Sequence, residues 1–141
     1  MSSIKRLREV DLINLYCNKQ SGYIFHEVSV GDKSIFGVNS TDRKIDIVII
    51  QVKNKRAEFN YKEEKELFYN LIKEGQHEIE IIEAKTKLNR IVIGQILVGE
   101  FMFKKKFNVK KVRKSILYNK GDDAMELFCK KNQINLIKVK K

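Results

Sequence analysis

The sequence predicts an α/β fold, a central mixed β-sheet with helices on both faces, and three observations carry that expectation. Helical and extended patterns alternate along the chain. Residues 44–52 are a near-continuous apolar run, typical of a strand covered on both faces, and residues 78–87 alternate before running apolar through Ile81 and Ile82. The 141 residues contain no proline and no low-complexity linker, so residues 1–141 read as a single domain.

The elements follow in order. Over residues 3–19, Ile4, Leu7, Val10, Leu12, Ile13 and Leu15 recur at helical spacing until Ser21-Gly22 stops the pattern. Residues 23–30 are aromatic and β-branched and end at Gly31-Asp32, a strand followed by a turn. Residues 44–52 form the next strand, in which Asp46 is the single carboxylate. A helical insertion is expected at about 54–76, carrying a helix over 61–73 with Leu67, Phe68, Leu71 and Ile72 on one face and Gly75 at its end. Residues 78–87 run through Ile79, Ile81 and Ile82 to Glu83-Ala84-Lys85 as another central strand. A helix over 88–105, capped by Asn89, a strand over 112–118, a helix over 122–131 and a strand over 134–139 complete the order.

Composition narrows the function. A hydrophobic fraction of 43% with 33% charged residues suits a globular chain and excludes a disordered one. The formal net charge of +11 is self-repulsive, and a polyanion is the partner that offsets it; lysine kept for solubility accounts for the same number. The longest apolar stretch, 91–103, is interrupted by Gln95 and Glu100 and falls short of the ~20 residues of a membrane helix. Lys5, Arg6 and Arg8 are followed by Glu9 and Asp11 and not by an apolar region, so no signal peptide is read and a cytoplasmic location is expected. Cys17 and Cys129 are expected to be reduced, buried and structural, and His26 and His77 structural or exposed. No Walker loop, dinucleotide fingerprint or nucleophile elbow is present.

Chemistry is expected where carboxylates interrupt apolar strands. Burying an ionised, unpaired carboxylate costs several kcal/mol, so Asp46 and Glu83 imply a cation or donors opposite them. On neighbouring strands ~4.8 Å apart their oxygens would meet on one divalent ion. Strand alternation sends Glu83 and Lys85 to one face, which sets an ammonium where it can orient or deprotonate an attacking water and offset charge on a phosphoryl oxygen.

With those residues in place, Ile-Asp46-Ile-Val on one strand and Ile-Ile-Glu83-Ala84-Lys85-Thr on a later one resemble the paired motifs of the PD-(D/E)XK nuclease superfamily, which includes restriction endonucleases, Holliday-junction resolvases and RecB-like nuclease domains. The resemblance implies a restriction-endonuclease-like fold and hydrolysis of DNA phosphodiesters with Mg2+ or Mn2+. It implies Asp46, Glu83 and the backbone carbonyl of Ala84 as metal ligands, Lys85 as the lysine of the motif, Glu9 or Glu27 as a further ligand, and Gln95 as a helper on the following helix. Ile45 stands where the family usually has proline. The pair Gln51 and Lys53 is a rival for the second motif, but Lys53 would lie roughly 23 Å from Asp46 at about 3.3 Å per residue.

Lys104, Lys105, Lys106, Lys110, Lys111, Arg113 and Lys114 form the densest basic segment and, with Lys53, are the expected contacts to phosphates. DNA is favoured over RNA as partner, and a homodimer would let two sites address two strands. A binding module that holds nucleic acid without cutting accounts equally well for the charge. A structural subunit of a larger complex accounts for the fold but not for Asp46 and Glu83.

Overall fold

In the computed structural model, which describes residues 6–140, the chain forms an α/β fold with a six-stranded mixed sheet and five helices. The elements are α1 (Glu9–Cys17), β1 (Gly22–Ser29), α2 (Lys33–Phe36), β2 (Lys44–Ile50), β3 (Arg56–Asn60), α3 (Lys65–Glu74), β4 (Ile79–Ala84), α4 (Arg90–Phe107), β5 (Arg113–Tyr118), α5 (Asp123–Lys131) and β6 (Asn135–Lys138). The strand order is β3-β1-β2-β4-β5-β6. β2 runs antiparallel to both its neighbours, while β3 lies parallel to β1, and β4, β5 and β6 are mutually parallel.

The apolar residues of β2 and β4 have the cause expected of them, since the core occupies both faces of the sheet. On one face Val48, Ile50 and Ile81 join Phe68 of α3, Val92, Ile96 and Phe103 of α4 and Cys129 of α5. On the other, Ile47, Ile49, Ile82 and Leu117 join Leu12 and Cys17 of α1. The two parallel crossovers β4-α4-β5 and β5-α5-β6 step the same way across the sheet, and crossovers of one hand stepping one way put both helices on one face.

Local signals set several boundaries. Asn89 caps α4 by accepting the Val92 N–H at 3.1 Å, and Asp122 caps α5 by accepting that of Met125. Gly75 ends α3 in the left-handed region at φ 73. The helix read over 3–19 is shorter than its periodicity: Arg8 is extended and α1 begins at Glu9, with residues 3–5 outside the described part. The helical insertion at about 54–76 needs correction, because its first part is the edge strand β3 and its helix starts only at Lys65. Ala57 and Phe59 point inward between exposed Arg56, Glu58 and Asn60, and that five-residue alternation is too short to stand out in a lysine-rich sequence. The one-turn helix α2, capped by Asp32 through Ser34, was also not read. No helix among the described residues is long and apolar enough to cross a membrane.

Candidate functional site

The regular sheet breaks at one place. β1 and β2 keep a single register from Tyr23↔Ile50 to Ser29↔Lys44, and His26↔Ile47 and Val28↔Ile45 bracket Glu27 and Asp46. Residues three apart on a regular strand face opposite sides. Here Phe25 and Val28 belong to one core cluster, and so do Val48 and Ile45. Both strands therefore lose phase together, with no residue inserted in either. Glu27 adopts φ 57, a conformation that costs a side chain with a Cβ about 1–2 kcal/mol.

The same point ends the β2–β4 ladder. Backbone pairing stops at Ile47↔Ile82, and side chains make the next rung. The Asp46 N–H donates to Glu83 Oε1 at 2.9 Å, and the Ala84 N–H donates to Asp46 Oδ2 at 2.9 Å. Each carboxylate stands in for a backbone carbonyl of the diverging strands, so two acids face each other in the gap. Glu83 is buried and Asp46 half-buried. Neither has a cationic partner within 4 Å among the described residues.

The electrostatic consequence has a definite direction. Burial, then the Asp46 charge, pushes the Glu83 carboxyl up to about 8, against the opposing N–H of Asp46. Burial also raises Asp46; the Ala84 N–H and Lys85 oppose that rise, and the charges of Glu27 and Glu9 add to it. The two facing acids are thus held against the loss of their protons.

Lys85 follows β4 and is held by its own N–H, which donates to the Leu117 carbonyl at 2.9 Å. Its Nζ lies 3.6 Å from Glu9 Oε1, in the first turn of α1. Asp46, Glu83, Lys85, Ala84, Glu9 and Glu27 thus come from four separate elements or their ends to one region. Neither Glu9 nor Glu27 forms with Asp46 and Glu83 a trio whose ligand oxygens all lie within 4.8 Å. Gln95 is exposed on α4, and its side chain makes no hydrogen bond among the described residues. Lys53 is in the turn beyond the far end of β2, beside a hollow lined by Gln51, Asn54 and His77.

The basic segment is divided. Glu100 holds Lys104 at 3.4 Å and Lys114 at 3.2 Å, Lys106 donates to the Ser29 carbonyl at 3.0 Å, and Arg113 lies 3.8 Å from Glu80. Lys105, Lys110 and Lys111 are exposed and have no ion-pair partner among the described residues.

One cluster escaped the sequence reading. Cys17, His26 and Glu58 bring their ligand atoms within 4.8 Å of one another, although they come from α1, β1 and β3. Their spacing in sequence carries no metal-site signature, and Glu58 sits on the strand that was not read. Comparison of the chain with protein-family models, with curated proteins and with solved structures gave no match.

Proposed function

We propose that the chain is a metal-dependent nuclease of the PD-(D/E)XK kind, hydrolysing DNA phosphodiester bonds with Asp46, Glu83 and Lys85 at its centre. The observation that carries this reading is the side-chain rung between β2 and β4, two facing carboxylates without a cation. Hard oxygen donors of this type suit Mg2+ or Mn2+ and do not select softer ions. Asp46 and Glu83, with the Ala84 carbonyl, would hold the ion. When bound it would supply Lewis-acid charge to a phosphoryl oxygen and acidify a water.

The remaining roles belong to the chain. Lys85 would stabilise charge developing on the phosphate and orient or deprotonate the attacking water, and Glu9, 3.6 Å from its ammonium, would help to orient it. Glu27, opposite Asp46, would take part through the outer coordination of the ion. Lys105, Lys110 and Lys111 would meet the phosphate backbone with little regard for sequence.

The test is incubation of the protein, Asp46→Ala and Glu83→Ala with linear duplex, single-stranded and branched DNA, with and without Mg2+. Cleavage that needs the cation and is lost in both variants supports the reading. Equal binding of DNA by all three proteins with cleavage by none replaces it with the non-catalytic binding module, which the net charge of +11 would serve as well.

A further inference from the structure

We propose that Cys17, His26 and Glu58 form a second, separate metal site for a thiophilic divalent cation of the Zn2+ class, tying the end of α1 to the β3–β1 edge of the sheet. The donor set differs in kind from the carboxylate rung. A thiolate, an imidazole and a carboxylate are the ligands zinc takes, and three protein ligands leave a fourth position for solvent.

The geometry is nearly in place. Tetrahedral bonds of ~2.0–2.3 Å separate ligand atoms by about 3.3–3.8 Å, so a trio already within 4.8 Å needs a contraction of roughly 1 Å. His26 Nε2 and Glu58 Oε1 are 2.9 Å apart, closer than that edge, and would open slightly as the ion replaces their hydrogen bond. His26 and Glu58 stand on adjacent parallel strands paired Ile24↔Glu58 and His26↔Asn60, which fixes their separation. Cys17 reaches them from the last turn of α1.

The surroundings are those of a ligand set. Arg56 donates to Glu58 Oε2 at 3.0 Å and to the carbonyl of Cys17 at 3.1 Å, so one guanidinium orients the carboxylate and anchors the backbone of the thiol residue. A thiolate and a carboxylate bring two negative charges, of which the Arg56 guanidinium offsets one, and the divalent ion supplies the remainder. Access is graded: Cys17 is 1% exposed, whereas the His26 and Glu58 side chains are 29% and 36% exposed, so the open position faces solvent.

A nucleophilic role for the same trio fails on two counts. Cys17 is sealed from solvent, and no hydrogen bond joins its thiol to His26 among the described residues. Burial, with the charge of Glu58 adding, pushes the thiol up to about 12, so the metal-free form is a thiol and uptake of the ion releases its proton.

Co2+ is the probe, titrated into the reduced, metal-stripped full-length protein. A near-ultraviolet thiolate-to-cobalt charge-transfer band is expected, saturating at one equivalent and erased by Zn2+. It should be absent in Cys17→Ser and intact in Cys129→Ser, the chain's other thiol. Absence of the band in the folded wild type, or its survival in Cys17→Ser, overturns the proposal. Should Cys17→Ser not fold by circular dichroism, the half-exposed His26→Gln decides. Its Co2+ affinity must fall by more than about 10-fold, and an unchanged affinity overturns the site.

Discussion

Two glutamates three residues apart on β4 live under opposite terms. Glu80 is met by donors: the Tyr16 hydroxyl at 3.1 Å, the Ser115 hydroxyl, and Arg113 at 3.8 Å. Glu83 is met by one backbone N–H and by another carboxylate, whose charge helps push its carboxyl up to about 8. No buried side-chain N or O atom among the described residues lacks a hydrogen bond, so hydrogen bonding does not separate the two. Charge does. Glu80 faces a cation and two hydroxyl donors, while Glu83 faces a second acid and holds its proton more tightly, which is why the proposed function rests on Glu83 and not on Glu80.

The largest expected effect follows from that contrast. Asp46→Ala or Glu83→Ala should lower Mg2+-dependent DNA cleavage by at least about 10²-fold, the scale at which loss of a preorganised charge is felt in a transition state. Glu80→Gln should leave cleavage per folded molecule unchanged and lower stability by about 1–3 kcal/mol, because it disturbs the acceptor of the Tyr16 and Ser115 hydroxyls. Rates and denaturant midpoints of the same three variants check both halves. If Glu80→Gln also abolishes cleavage without unfolding, the comparison breaks.

A pH series sharpens it. A carboxyl whose folded-state value lies above its unfolded one binds a proton more tightly when folded, so its contribution to stability is complete at low pH and is lost as pH rises. For Glu83 the window runs from about 4.5 to about 8, and burial raises Asp46 as well, so the neighbouring acid acts in the same direction. The metal-free protein should therefore lose stability across that window, and Glu83→Gln should flatten the loss. Mg2+ should flatten it too, since the ion competes with the proton, and its affinity should rise with pH over the same range. Urea midpoints collected with chelator and with Mg2+ decide this. A wild-type slope identical to that of Glu83→Gln would show that the rung carries no excess charge.

Much of this was legible in the sequence, and the reason is periodicity. Burial on both faces wrote β2 as a continuous apolar run and left Ile81 and Ile82 side by side in β4, so Asp46 and Glu83 stood out against them, and the cap Asn89 marked a helix that the structure contains. β3 was illegible because an edge strand with two inward residues, Ala57 and Phe59, leaves little pattern. The paired kink at Glu27 and Asp46 was illegible for another reason. A deformation that keeps register changes where side chains point without changing which residues are apolar, and His26 and Glu58 beside Cys17 likewise depend on strand neighbours that sequence order does not name. Composition counted the basic residues of 104–114 correctly but not their partners: Lys104, Lys106, Arg113 and Lys114 already meet protein atoms.

The kink offers a smaller test. Glu27 holds φ 57 against the preference of any side chain with a Cβ, and it sets a further negative charge near the rung. Glu27→Gly should stabilise the metal-free protein by about 1 kcal/mol, since glycine takes this conformation freely and the repulsion goes with the side chain. Binding of Mg2+, followed by thermal shift, should weaken at the same time. Stabilisation with unchanged Mg2+ binding would make the kink a mere irregularity and detach Glu27 from the site.

The smallest effect concerns the basic segment, where the same division between satisfied and unsatisfied charge recurs with the sign reversed. Lys114 is nearly buried against Glu100, so its charge is already spent within the protein, whereas Lys105, Lys110 and Lys111 face solvent unpaired among the described residues. Each phosphate neutralised releases condensed counterions, so each lysine that contacts DNA contributes roughly 0.9 to the slope of log affinity against log salt. Lys110→Ala and Lys111→Ala together should reduce that slope by about 2, while Lys114→Ala should leave it unchanged and lower stability instead. Fluorescence anisotropy with an inactive Asp46→Ala background, repeated at several salt concentrations, measures it without cleavage. A slope that falls for Lys114→Ala and not for the exposed pair would mean that Glu100 releases its lysines to DNA, and the paired cations would then be the binding ones.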